Sequence, residues 1–129
     1  MPTLGHEARV LTIYIKQGSD WIAEFSIYDQ NGNIVSMTGS SFAGKIKKTK
    51  LSQDVVASFN FSINETTNVV TATLTNSQTS QMVGGEREID HASKYVYDWE
   101  WTNAQGIVDR IQEGNVIIST GVTWVIILL

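Results

Sequence analysis

Residues 95–119 read YVYDWEWTNAQGIVDRIQEGNVIIS, and the stretch begins with four large aromatic rings spaced two residues apart. Successive side chains of an extended strand point to opposite faces of a sheet, so the four rings would share one face. Such rings form either a platform that stacks against a ligand or a wall of the protein core. The rings are Tyr95, Tyr97, Trp99 and Trp101.

A wall is the favoured interpretation, because other aromatic residues of this small chain need cover as well. Two sheets whose inner faces carry all of these rings would enclose one core of ordinary thickness. We therefore predict that the four rings are buried between two layers of strands. The other rings that need cover are Trp21, Phe25, Phe59 and Phe61.

Length and composition are those of one globular domain. The chain has 129 residues, of which 42% are hydrophobic and 17% are charged. The charged fraction is low for a freely soluble monomer, which hints at extensive contact with other subunits. A net charge of −4 gives no field that would attract nucleic acid. Because cysteine is absent, there is neither a disulfide framework nor a thiolate metal site.

The sequence carries no sign of a membrane or a secretory route. Its first residues, MPTLGHEARV, lack the basic and apolar regions of a signal peptide. No apolar run reaches the ~20 residues that cross a bilayer. We expect a protein that is made and used in soluble form, without a membrane or nucleic acid as partner.

Apolar and polar residues alternate with a period of two along most of the chain, and no window of helical length has a period of 3.6. The sequence therefore predicts an all-β chain of seven or eight strands. Their spacing near ten residues favours an immunoglobulin-like antiparallel β-sandwich, with a small barrel as the alternative. Predicted strands cover residues 11–15, 21–27, 34–37, 42–48, 55–63 and 69–74, and two more flank residues 103–106.

Turn residues and glycines mark the ends and irregularities of these strands. Asn31 and Gly32 predict a tight hairpin, and the polar residues 64–68 predict a second one. Gly44 lies inside a predicted strand, which indicates a bulge or a close backbone approach. The lysine-rich residues 45–50 predict a solvated strand edge, where lysine discourages pairing with other chains.

The segment between the two halves of the chain lacks the character of a strand. Residues 76–82 suit one short capped helical turn at a crossover, with Ser77 followed three residues later by Ser80. Residues 83–93 begin with glycine-rich and charged sequence and have no periodicity, so we predict an exposed loop.

Candidate catalytic and metal-ligating groups are few. His6 and His91 each lack a second histidine at ligand spacing. Asp98 and Glu100 share a strand face like the paired acids of glycosidases, but Arg110 on the next strand offers them a cross-strand partner. We predict no catalytic residue, no metal site, no cofactor and no small-molecule ligand. Loop residues that could gather a cation are Glu86, Glu88, Asp90 and His91, but they lack the alternating oxygen ligands and central glycine of a calcium loop, so a solvated charge run is favoured.

The end of the chain is apolar on both faces of a possible strand. The sequence divides into an N-terminal arm at residues 1–9, a β-sandwich domain at residues 10–123 and an apolar segment at residues 124–129. An exposed segment of this kind favours aggregation unless another surface receives it. We predict that it contacts a neighbouring subunit. The predicted interface residues are Trp124, Val125, Ile126, Ile127, Leu128 and Leu129.

Short strand-and-turn signatures follow one another as QGSDW (17–21), DQNGN (29–33), MTG (37–39), YVYDWE (95–100), Gly106, Arg110 and Glu113-Gly114. In this order the chain resembles the small β-sandwich virion proteins of tailed bacteriophages, especially those of cyanophages and related marine myoviruses. It is also similar to the N-terminal domain of siphophage upper baseplate proteins. The resemblance covers roughly residues 11–123. Two features depart from it, the long loop at residues 83–93 and the unusually apolar end.

The resemblance implies an immunoglobulin-like domain without catalysis, built in many copies into the tail, baseplate or fibre-attachment region of a virion. Its expected partners are other virion proteins and copies of itself, and its expected location is the virion, assembled in the host cytoplasm. A different class of function remains as the alternative. In that class, exposed aromatic residues would make the chain a glycan-binding or capsid-decoration module.

Overall fold

The computed structural model describes residues 8–82 and 92–119 of the chain. Within this part, nine strands and one short helix are present, and the predicted all-β class is confirmed. The strands are β1 (Arg9–Val10), β2 (Ile13–Lys16), β3 (Trp21–Phe25), β4 (Ser41–Lys47), β5 (Ala57–Ser58), β6 (Asn60–Asn64), β7 (Val69–Leu74), β8 (Ala92–Thr102) and β9 (Val108–Ser119), and the helix is α1 (Asn76–Ser80).

These strands form two sheets. The larger sheet has the order β1-β9-β8-β4-β5, with β2 also paired to β9, and the smaller sheet has the order β3-β7-β6. Both β1 and β2 run parallel to β9, so the prediction of a purely antiparallel architecture is wrong here. A tight hairpin forces antiparallel pairing, whereas strands at opposite ends of the chain have no short turn that fixes their direction.

The predicted strand at residues 55–63 is two strands in different sheets. β5 pairs with β4 in the larger sheet, and β6 pairs with β7 in the smaller one. Phe59 lies between them, and its backbone N–H donates to the Gly44 carbonyl at 2.9 Å. The alternation continues through the crossing because Ala57, Phe59 and Phe61 all pack into the same core. Sequence periodicity therefore does not reveal where the chain changes sheets.

Both predicted hairpin turns are present, but the strand predicted at residues 34–37 is not. In the first turn, Gly32 has a φ of 81°, and a single bridge joins Tyr28 to Ile34. The Met37 N–H donates to the Asn68 side chain at 2.9 Å instead of to a strand. Pairing across the hairpin therefore ends with the bond from the Val35 N–H to the Ile27 carbonyl at 2.8 Å.

The helical turn forms where it is predicted, on the connection from β7 in the smaller sheet to β8 in the larger one. Its N-cap is Thr75, whose hydroxyl accepts from the Gln78 backbone N–H at 3.2 Å. The Gln78 side chain accepts in return from the Thr75 N–H at 2.8 Å, which completes a capping box. The predicted exposed loop at residues 83–93 overlaps β8, which begins at Ala92, and residues 83–91 lie outside the described part.

The core lies between the two sheets. The larger sheet contributes Ile13, Ile15, Ile46 and Val116, and the smaller sheet contributes Ala72 and Leu74. Near one end of this layer, a second cluster joins Ile27, Met37, Val70 and Trp101. With their apolar faces turned toward each other, the sheets leave their outer faces and edges for contacts with other molecules.

Candidate functional site

The four rings of the opening stretch form a wall of the core, as predicted. Trp99 is 2% exposed and Trp101 is 3% exposed. The Trp99 ring stacks on Phe25 at a centroid distance of 5.2 Å and meets Trp21 edge-on at 6.4 Å. Since Trp21 and Phe25 belong to the smaller sheet, the Trp99 ring joins the two layers. No flat aromatic surface is available on this face for a sugar or a base.

The two indole N–H groups of this wall have different environments. Trp101 Nε1 donates to the Ser40 Oγ atom at 3.0 Å. Within residues 8–82 and 92–119, Trp99 Nε1 is buried without a hydrogen-bond partner. A buried donor of this kind costs free energy, and packing of the ring against both sheets offsets that cost.

Tyr97 is the centre of a buried hydrogen-bond chain. Its hydroxyl donates to the Leu11 carbonyl at 2.6 Å and accepts from Gln112 Nε2 at 3.1 Å. The Arg9 guanidinium donates to Gln112 Oε1, with Arg9 Nε at 3.0 Å. Burial raises the pKa of the Tyr97 phenol, and the Gln112 hydrogen bond and the Arg9 charge oppose that rise. Tyr97 therefore stays neutral and fastens the first strands to β8 and β9.

Several charged side chains lie next to one another on the solvent-exposed outer face of the larger sheet. Lys45, Asp98 and Glu113 lie side by side on β4, β8 and β9. They border an open depression of about 300 Å³, to which both signs of charge contribute. We define the charged face as Lys45, Lys47, Lys50, Asp98, Glu100, Arg110 and Glu113.

A bulge in β9 brings two of these groups together. Trp99 pairs with Gln112 while Glu100 pairs with Arg110, so Ile111 is an extra residue in β9. Arg110 then reaches Glu113, with its Nη1 atom 3.4 Å from Glu113 Oε1. Bulges redirect side chains in this way. The sequence predicted that Arg110 pairs across strands with Asp98 or Glu100. The register of β8 and β9 does place Arg110 opposite Glu100. The ion pair, however, forms with Glu113.

Lys45 and Lys47 lie on β4, which is not an edge strand, so the strand edge predicted for residues 45–50 is wrong at these two positions; Lys50 lies in the loop after β4. β4 lies between β5 and β8, and its lysines point from the middle of the sheet toward solvent. Lys50 Nζ is 3.9 Å from Glu113 Oε1. An exposed pair at this distance contributes little to stability.

The charged face has no feature of a metal centre. In the part of the chain that the structure describes, no three His, Cys, Asp or Glu side chains are grouped so that they could hold a metal ion. No described helix is long and apolar enough to cross a membrane. Sequence reasoning identified Asp98, Glu100 and Arg110 but missed Lys50 and Glu113, because a loop and the bulge bring these two groups to the face.

Several predicted residues lie outside the described part of the chain. They include the predicted interface segment at residues 124–129, His6, and the loop acids with His91. The roles proposed for these residues remain predictions. No protein-family model matches this chain, and no curated protein matches it.

Proposed function

We propose that this chain is a non-enzymatic structural component of a bacteriophage virion, in the tail, baseplate or fibre-attachment region. The observation that carries the proposal is the burial of Trp99 and Trp101, which are 2% and 3% exposed. With these rings in the core, contacts to other molecules fall to edges, loops, termini and the charged face. Such surfaces suit assembly of many copies. The resemblance of the strand-and-turn signatures to phage virion proteins supports the same class.

Strand order supports an immunoglobulin-like arrangement within this proposal. In that fold, the strands lettered B, E and D share one sheet, and G, F and C share the other. Here β3, β7 and β6 form the first set, and β9, β8 and β4 form the second. The helical turn lies between E and F in this lettering. A rigid two-layer domain of this kind holds its edges and termini at fixed positions.

The proposed mechanism is repeated contact. In a ring or other symmetric assembly, each copy makes the same contacts with its neighbours. Once one contact forms, the next occurs at high effective concentration, so individually weak contacts combine into a stable particle. The charged face would fix orientation, because groups of like sign repel when the register is wrong.

The test is removal of residues 124–129 followed by measurement of incorporation into particles. We expect the shortened chain to remain soluble and folded but to be lost from purified particles. Leu51→Ser is the matched control, since Leu51 is 94% exposed and its change removes an apolar surface group elsewhere. Unchanged incorporation of the shortened chain would remove the proposed role of the segment.

The glycan-binding alternative would depend on other rings. Tyr14 and Tyr28 are 70% and 55% exposed. A glycan array that gave a signal with the native chain, and lost it with Tyr14→Ser or Tyr28→Ser, would favour this alternative. We expect no glycan signal from any of the three chains.

A further inference from the structure

We propose that the open edge of β3 receives the apolar segment Trp124–Leu129 of a second copy as an added strand. The inference rests on the proposed assembly function, to which it adds the surface that receives the segment. In the described part of the chain, β3 pairs with β7 alone, so one side of its backbone is unpaired. Unpaired edges accept extended segments from other chains by forming main-chain hydrogen bonds.

The side chains of β3 distinguish its edge from the others. Trp21, Ala23 and Phe25 face the core but are only half-buried, and Ile22 on the opposite face is 66% exposed. An added strand would therefore cover apolar groups on both faces of β3. Glu24 is the one charged residue in the strand, whereas natural edges are usually protected by several charges or by proline.

The other long edges have less to gain from an added strand. In β2 the inward-facing Ile13 and Ile15 are already 4% and 1% exposed, so an added strand would cover an apolar group only at Tyr14 on the outward face. In β6 the outward-facing residues are polar, namely Asn60, Ser62 and Asn64. The hydrophobic gain from covering an edge is proportional to the apolar area removed from water, so β3 is the favoured acceptor.

The chemistry of the segment fits this acceptor. All six residues from Trp124 to Leu129 are apolar, so a strand made of them presents apolar side chains on both of its faces. A strand with one polar face would leave either Ile22 or the Trp21 side of the edge in contact with polar groups.

The fold favours a segment from a second copy over the chain's own. β9 ends at Ser119, whose carbonyl accepts from the Gln17 N–H at 2.9 Å. The turn at residues 17–20 connects this point, in the larger sheet, to the start of β3 in the smaller sheet. The five Cα–Cα steps from Ser119 to Trp124 span at most about 18 Å, so the chain's own segment could only begin close to that turn. A neighbour's segment can approach the edge directly.

Disulfide trapping in the full-length chain tests the inference, because the chain contains no cysteine of its own. One set of chains carries Ile22→Cys. A second, differently tagged set carries a single cysteine at each position from 124 to 128 in turn. The two sets are mixed and oxidised, and the mixed dimer is measured on a non-reducing gel. Tyr14→Cys and Ser62→Cys replace Ile22→Cys as controls on the β2 and β6 edges.

We expect mixed dimers with Ile22→Cys to form best at the one position of the segment that pairs with residue 22 and poorly at the positions on either side of it, because a disulfide needs directly paired Cβ atoms and adjacent residues of a strand point to opposite faces. Their yield should exceed that of both controls severalfold. Equal trapping at all three edges, or equal trapping at every position of the segment, would overturn the inference. So would a monomeric intrachain disulfide when both cysteines are placed in one chain.

Failure of this inference can be told apart from failure of the proposed function. If removal of residues 124–129 abolishes incorporation into particles while trapping favours the β2 or β6 edge, the segment assembles but β3 is not its acceptor. If removal leaves incorporation unchanged, the assembly role itself is wrong, whatever the trapping shows.

Discussion

Gly44 shows how a single missing side chain makes room for two aromatic rings of the core. It lies on the core face of β4, opposite Trp99 in the sheet register. A Cβ atom at Gly44 would lie 2.6 Å from Trp99 Cδ1 and 3.0 Å from Phe59 Cδ2. Of the two interpretations that the sequence left open, the close approach is confirmed, because pairing with β8 continues regularly through this position.

Gly44→Ala is expected to lower the free energy of unfolding by about 1–3 kcal/mol, since the added methyl group overpacks a core with no room for it. The measurement is urea unfolding followed by tryptophan fluorescence. Ala43→Val on the outer face of the same strand is the control, and it should change stability by less than about 0.5 kcal/mol. A Gly44→Ala protein as stable as the native chain would contradict this account.

Tyr97 is expected to make the free energy of unfolding depend on pH in the alkaline range. Burial raises the folded-state pKa of its phenol above 10.0, so the unfolded chain ionises first as pH rises. The contribution is therefore fully present below about pH 10 and is lost as pH rises through the folded-state pKa. Tyr97→Phe should be less stable near neutral pH by about 1–3 kcal/mol, because the buried Gln112 side chain loses its acceptor and the Leu11 carbonyl loses its donor.

The same substitution should flatten the alkaline profile. Urea midpoints at about pH 8 and about pH 11, on either side of the ordinary tyrosine pKa, measure this difference. The midpoint of the native chain should fall more between these two values than that of Tyr97→Phe. Parallel profiles for the two proteins would show that Tyr97 does not titrate differently in the folded state.

At the scale of elements, the junction between β1 and β2 depends on Gly114 in β9. The Leu11 N–H donates to the Glu113 carbonyl at 2.9 Å, which brings the junction close to the β9 backbone. A Cβ atom on Gly114 would contact the Leu11 backbone, with the Leu11 carbonyl carbon 2.9 Å away. The Leu11 backbone cannot move away from the added Cβ atom as a flexible side chain could.

Gly114→Ala is therefore expected to loosen β1 and β2 from the larger sheet. Hydrogen exchange should become faster for the amides of Ile13–Lys16 while the β6–β7 hairpin keeps its protection. Asn115→Ala, at the exposed neighbouring residue, is the control and should leave exchange unchanged. If Gly114→Ala preserved the protection of β2, the close contact would have no mechanical role.

At the scale of the whole molecule, the Trp99 ring holds the two sheets together. Trp99→Ala should destabilise the fold by about 3–5 kcal/mol, since it removes a large buried ring and leaves a cavity. Calorimetric or urea unfolding measures the loss, and Tyr14→Ala serves as the control because its ring is 70% exposed. Had Trp99 served as a binding platform, its removal would abolish ligand binding with little change in stability.

Alternation in the sequence determined the class of structure and the faces of its strands. It placed the four rings of residues 95–101 on one side, and the need to cover Trp21 and Phe25 indicated that this side is interior. It also placed Asp98 and Glu100 together on the opposite face. These properties are local, because the direction of a side chain in a strand depends only on its position along that strand.

Tertiary structure decided which strands are neighbours. The parallel pairing of β2 with β9, the change of sheet at Phe59 and the extra residue Ile111 in β9 leave no mark on periodicity. Each results from contacts between residues far apart in the chain, whose energies depend on packing and hydrogen bonding in three dimensions. The sequence alone therefore determined which face each strand buries, and the folded chain decided its partners and the charges that meet at Glu113.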